Sequence, residues 1–425
     1  MAAGGEMDES LIDKNDYDYV EPILEAPSNY FYLCVLISSM GAFLFGCGLG
    51  FTSPTLVANK AGKSSACPII NCDLPFHNSS YPMGVMSSSA LTDAHHCVNA
   101  HKMNCELQFS EGFSSLFGSI INFGCLFGAL AGGAFVDRFG KKMSMTVSNI
   151  LYLIGWSLIA FVPTPDDGNV WDGVSSSAGN VLSIEVMLTA SRLIIGFGVG
   201  IICCSVSNYQ TEICTMEQRG AIGTVFQLFI VIGLFSVYLI GSVVAWRSLA
   251  LLCVFGSIAA IVCTQFLVES PIWLLTKGKD KEAEAALRSL RAADVGSVEE
   301  QLAEMKDTVF EDGPDTRIEE TSGGVSEILD DPNSRKALFI GVGLMFVQQL
   351  SGINAIMFYA GEIFNSVPGT TADMANDYST GMQAMQVLIT LSSAFFMDKV
   401  ACIHCDSPHL IMMRPDEPGT LYPDV

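Results

Sequence analysis

Eight apolar stretches constrain this chain more than any other feature: residues 31–55, 114–136, 143–161, 181–206, 221–245, 249–267, 337–363 and 382–397. Each approaches the ~17 to 25 residues needed to cross a hydrocarbon core. Lipid offers no hydrogen bonds, so every backbone N–H and C=O in such a run must be satisfied within its own segment, and the runs form helices. The expected fold class is therefore an all-α multi-pass membrane protein. Composition agrees: 15% of residues are charged and 50% hydrophobic, against roughly one quarter charged in soluble domains. A polar, acidic segment precedes the first run, which lacks a short apolar region followed by a small-residue cleavage site. It reads as a retained span rather than a removed leader.

The seventh run carries three carboxamides, Gln348, Gln349 and Asn354, within Phe346-Val347-Gln348-Gln349-Leu350-Ser351-Gly352-Ile353-Asn354. Unpaired amides in hydrocarbon cost several kcal/mol each, so they must face protein, water or a polar ligand. Being neutral, with donors and an acceptor on each, they suit a hydroxylated solute. On an unbroken helix Gln348 and Asn354 would lie about 120° apart. Local unwinding at Ser351-Gly352 would let both face one cavity.

The net charge of −23 says little about orientation, which follows Lys and Arg. Basic residues gather at Arg138, Lys141 and Lys142, at Arg219, and along 277–336, while the segments after the third and seventh runs have none. The basic loops are expected on the cytoplasmic side, with both termini. The first loop, 56–113, holds Cys67, Cys72, Cys97 and Cys105 and the glycosylation sequon at Asn78, which favour the opposite, oxidising side. Four cysteines allow three disulfide pairings, and a metal reading with His95, His96 and His101 is the alternative. Between the sixth and seventh runs, Ala283, Leu287 and Leu290, then Val298, Leu302, Met305 and Val309, recur at helical spacing. Two amphipathic helices lying against the cytoplasmic ends of the spans are expected there.

Several motifs follow one another along the chain. Gly133-Ala134-Phe135-Val136-Asp137-Arg138-Phe139-Gly140-Lys141-Lys142 ends the second run, and Met397-Asp398-Lys399 echoes it at the end of the eighth. Arg192 begins an RxxxGxGxG pattern through Gly196, Gly198 and Gly200; Glu212 and Arg219-Gly220 form ExxxxxxRG; Glu269-Ser270-Pro271 precedes the cytoplasmic helices; Gln348 to Asn354 reads QQxSGxN. Together they resemble the sugar porter branch of the major facilitator superfamily, which includes facilitative glucose and trehalose transporters. The resemblance covers about 31–399 and implies two six-helix halves.

That resemblance implies roles. Asp137, Arg138, Lys141, Lys142, Arg192, Glu212, Arg219 and Glu269 would belong to the charge network that gates access. Gln227, Gln348, Gln349, Asn354, Gln386 and Tyr359 would contact sugar, with Phe358 standing where many members have a second tyrosine. Arg192 lies deep in a span, where proton-coupled relatives place an Asp beside it on the first span; Gly48 occupies that position here. The implied activity is facilitative transport of a hexose or small disaccharide by alternating access. No catalytic residue, cofactor or metal is expected, and an enzyme reading fails because neutral amides cannot act as general acids or bases. The expected partners are a small-molecule sugar and the lipid bilayer, with no nucleic acid.

The expected organisation is an acidic tail over 1–30, a six-span bundle over 31–267, a cytoplasmic helical insert over 268–335, spans seven and eight over 336–399, and a non-family tail over 400–425. The resemblance implies twelve spans and the sequence supplies eight, so the expectation is a truncated second half and impaired transport. The alternative expectation is a non-transporting sugar sensor, or a partner that associates with a full-length relative. The expected location is the plasma membrane; an endosomal or lysosomal membrane is the alternative, because Asp8-Glu9-Ser10-Leu11-Ile12 approximates an acidic dileucine signal.

Overall fold

The computed structural model describes residues 27–55, 111–162, 178–215, 218–291, 295–309 and 332–405. Six long helices form the first body: α1 (Asn29–Gly50), α2 (Glu111–Phe139), α3 (Lys141–Ala160), α4 (Ala178–Ile213), α5 (Arg219–Gly241) and α6 (Trp246–Thr264). Three short helices follow, α7 (Pro271–Thr276), α8 (Asp280–Leu290) and α9 (Val295–Val309), and then α10 (Pro332–Leu350), α11 (Ile353–Asn365) and α12 (Ala372–Cys405). Among the described residues seven segments are long and apolar enough to cross a membrane, Ser334–Asn365 being the last. The eighth expected span lies within α12, a 34-residue helix that continues through Lys399 to Cys405. Asn78, Cys67, Cys72, Cys97 and Cys105 lie outside the described residues, as do the tail before Pro27 and the end after Cys405.

In the bundle, α2 and α3 pack on α4, α1 packs on α5, and α3 also meets α6. Small residues set how close these axes come. A Cβ at Gly46 would fall 2.0 Å from the Ile230 carbonyl oxygen, and one at Gly233 would fall 2.1 Å from that of Phe43. Backbone therefore meets backbone between α1 and α5, the close approach on which helix association in lipid relies. One polar link inside the bundle joins α4 to α1: Gln210 Nε2 donates to Ser38 Oγ at 3.1 Å and Ser39 Oγ at 2.9 Å. Phe31, Phe51, Tyr152, Trp156 and Tyr209 fill the centre.

The amphipathic stripes of α8 and α9 pack chiefly on each other and on α7, in a small core of their own. Ala283, Ala286 and Leu287 of α8 meet Val298 and Leu302 of α9 and Leu274 and Leu275 of α7. The buried Arg291 guanidinium donates from Nη1 to the Ile213 carbonyl at the end of α4, 3.0 Å away, and Ser28 N–H donates to Leu290 O at 3.2 Å. The insert is thus tied to one end of the six-helix bundle.

The second body differs. Every side chain from Ser334 to Leu350 is exposed. The chain breaks at Ser351-Gly352, where Gly352 adopts φ +76°, a left-handed conformation that glycine tolerates. α11 kinks again at Tyr359 and packs against α12, which in turn packs on α5.

Candidate functional site

Arg192 is fully buried on α4. Its Nη1 donates to the Gly48 carbonyl at 2.7 Å and its Nη2 to Thr52 Oγ1, while the guanidinium lies over the rings of Phe117 at 4.5 Å and Phe51 at 5.5 Å. Buried cations normally need an opposite charge. Here neutral oxygens and π faces solvate the cation instead, and among the described residues no carboxylate bonds it. Arg192, expected among the gating charges, is therefore set apart from them.

Those charges converge at the end of the bundle that carries the insert. Lys141 Nζ pairs with Glu212 Oε1 at 2.9 Å, and Ser270 Oγ donates to Glu212 Oε2. Glu269 Oε1 accepts the backbone N–H of Lys141 at 2.9 Å and of Lys142 at 3.2 Å, and Oε2 accepts Lys142 N–H at 3.3 Å. These are the free donors at the start of α3, whose N-cap Gly140 has no side chain to offer. A carboxylate there also meets the positive end of the helix dipole. Gly140 leaves the room: a Cβ would stand 2.6 Å from Glu269 Oε2. Burial pushes the Glu269 carboxyl above its ordinary pKa, against the pull of the Lys142, Ser270 and Lys141 N–H groups and the Lys141 charge. Trp273 Nε1 donates to the Asp137 carbonyl at 3.0 Å.

The sequence grouping needs amendment in detail. The Asp137, Arg138 and Arg219 side chains are exposed, Arg138 lies 5.6 Å from the Phe139 ring centre, and Arg219 lies beside Cys214 rather than Glu212. Lys142 Nζ donates to the Gln265 carbonyl at 2.8 Å. The described contacts hold the first bundle to its following insert, not one half to the other.

The amides are divided. Asn354 Nδ2 donates to Gln349 Oε1 at 2.6 Å across the break between α10 and α11, and Gln348 is exposed beside them. Gln227 is exposed on α5; among the described residues no hydrogen bond joins it to the amides of the second body. Gln386 on α12 is half-buried, its Nε2 4.0 Å from Met357 Sδ. The kink of α11 docks on the first body: Tyr238 hydroxyl donates to the Met357 carbonyl, Gly361 N–H to Ser53 Oγ at 3.0 Å, and Tyr359 hydroxyl to the Ser115 carbonyl at 3.4 Å. Tyr238, Ser53 and Thr52 are site residues that the sequence did not single out. Ser53 and Thr52 follow the Gly-rich stretch of α1 directly, which was the available signal.

The sugar (and other) transporter family model matches residues 34–401. Sugar transporter ERD6-like 8 of Arabidopsis thaliana is 35% identical over 267 residues, 61% of this chain and 50% of that protein. ERD6-like 6 of the same plant is 30% identical over 86% of this chain and 60% of that protein. Solute carrier family 2, facilitated glucose transporter member 8 of Mus musculus is 30% identical over 69% and 54%. The chain thus spans between half and three fifths of the length of these relatives. Among solved structures, the proton:xylose symporter XylE bound to 6-bromo-6-deoxy-D-glucose superposes with a TM-score of 0.61 at 20% identity, over 86% of this chain and 69% of that one. XylE from E. coli in a partially occluded inward-open conformation gives 0.58 at 20% identity, over 87% and 74%. With its order of motifs and its helical architecture, the chain belongs to the sugar (and other) transporter family, in the sugar porter branch of the major facilitator superfamily.

Proposed function

We propose that this chain forms the sugar-recognising and gating elements of a facilitative carrier for a hexose or small disaccharide in the plasma membrane, an endosomal or lysosomal membrane being the alternative. The observation that carries the reading is the Gln349–Asn354 hydrogen bond across the Ser351-Gly352 break. It holds two neutral amides at a bend of a membrane-spanning segment, with Gln348 exposed alongside, where hydroxyl groups can exchange for the amide–amide bond at little net cost. Gln227 and Gln386 add recognition from α5 and α12. Tyr359, Ser53 and Tyr238 close the outer side, and the Lys141–Glu212–Ser270–Glu269 network steadies the cytoplasmic side. Alternating access then requires the outer contacts to break while the α10 end closes, so a sugar shifts the balance only by its differential affinity for the two arrangements.

The surroundings of Arg192 support transport without proton coupling, because its partners are a carbonyl and a hydroxyl that do not titrate. Uptake of labelled glucose, xylose and trehalose into proteoliposomes tests this. Expected uptake is collapsed by Asn354→Leu and indifferent to an imposed pH gradient; uptake driven by the gradient would overturn the facilitative reading. A Cβ at Gly48 would meet Ile195 Cγ2 at 3.4 Å and Ile121 Cδ1 at 3.6 Å, ordinary contact. Gly48→Asp is therefore expected to fit and to make uptake pH-dependent by placing a titratable group beside Arg192.

The full exposure of α10 favours a second reading, a partner that pairs with a longer relative and lowers its activity. Co-expression decides it: unchanged uptake and no co-purification would remove that role.

A further inference from the structure

We propose that Gln383 is a second sugar-contacting amide on α12, one that determines which hydroxylated solute is accepted; the inference rests on the carrier reading above. Gln383 has no exposed surface; neither its Nε2 nor its Oε1 makes a well-formed hydrogen bond, and its polar neighbour is the Tyr238 hydroxyl. The Tyr238 hydroxyl lies beside Gln383 and Ser53 but spends its proton on the Met357 carbonyl. Leu234, Met357, Ala360 and Met382 pack with Tyr238 in one apolar cluster.

A buried amide with no well-formed hydrogen bond bears much of its desolvation cost, and an apolar side chain of equal length would pack there without it. The amide gains only when a ligand presents both an acceptor and a donor, as neighbouring hydroxyls of a sugar do. Position supports this. Gln383 precedes Gln386 by three residues, so the two share a helix face about 4.5 Å apart along the axis. Gln386 already reaches toward Met357. One sugar can thus touch both amides when the contacts of Met357 with Tyr238 and of Gly361 with Ser53 separate. Discrimination follows because a site with unpaired polar groups rejects an analogue whose hydroxyls are missing or misplaced.

The test is thermal unfolding of the full 425-residue chain in detergent micelles, titrated with D-glucose, D-xylose and trehalose. Wild type is compared with Gln383→Met, Gln383→Asn and Asn354→Leu. Gln383→Met is expected to unfold at a higher temperature than wild type without sugar, and to lose roughly tenfold or more in apparent affinity, unequally among the three sugars. Gln383→Asn, which keeps the amide one methylene shorter, is expected to retain part of the response and to change the order of preference. Wild-type affinities and order in both Gln383 variants, with the response lost in Asn354→Leu, would sink this proposal and leave the carrier reading standing. An equal loss for all three sugars would remove the specificity role. No sugar response in wild type would remove the carrier reading, and this inference with it.

Discussion

α1 and α10 are both apolar helices of spanning length, yet 72% of the apolar window of the first is buried while none of the Ser334–Asn365 window is. Apolar character alone therefore does not decide helix packing, as expected where lipid is as apolar as leucine. α1 brings glycines that admit the α5 backbone and hydroxyls that bond Gln210 and Arg192. α10 brings amides at its end and, among the described residues, no comparable contact along its length. The first body is built by close helix contact, whereas α10 stands exposed with its amides at one end.

The sharpest way to break this contrast is Gly46→Leu. With the Ile230 carbonyl oxygen 2.0 Å from where its Cβ must go, the rigid backbones must part. The expected cost is ~3 kcal/mol or more, read as loss of monodisperse protein or a large drop in thermal midpoint. Gly341→Leu on α10, where a Cβ meets nothing within 4 Å, should leave the midpoint unchanged. An equal response at both sites would erase the difference between the two bodies.

Glu269→Ala should come next, at ~1 to 2 kcal/mol, because it strips the start of α3 of its acceptor. Hydrogen exchange should report the loss at the Lys141 and Lys142 amides specifically. Glu269→Gln keeps an acceptor and gives a smaller, pH-dependent effect. The raised pKa means the folded chain holds this proton more tightly than the unfolded one, so its contribution is full below the ordinary ~4.3 and declines as pH rises through the folded value. Wild type and Glu269→Gln should have equal midpoints at low pH, with the variant gaining as pH rises; the opposite trend would show that the N–H bonds outweigh burial.

The smallest effect on stability is expected from Gln349→Leu. The side chain is exposed, so the midpoint should move within about 0.5 kcal/mol, yet sugar binding should fall sharply. A stability loss as large as that of Glu269→Ala would show that the amide pair holds the bend rather than awaiting a ligand.

Much of this was legible in the sequence. The helices follow from run length, the insert from its apolar stripes, and the bend from Ser351-Gly352 among amides that lipid would exclude. Partner choice was not legible. Glu212 pairs with Lys141, not with Arg219 seven residues away, because the end of α4 faces α3 and the insert, and sequence spacing carries no information about which helix stands opposite. Gln383 shows the same limit. On paper it is one more glutamine on an apolar helix, and only its burial beside the Tyr238 hydroxyl reveals an amide without a well-formed hydrogen bond.

The Glu269 cap also bears on how the protein is made. Its closest donor is 128 positions earlier in the chain, so the start of α3 stays uncapped until synthesis has passed the sixth helix. A ribosome pausing before that point holds a bundle whose third helix can still shift or fray in register. Capture of the carboxylate by the Lys141 and Lys142 amides is then a late checkpoint in assembly, set by a contact of long sequence separation.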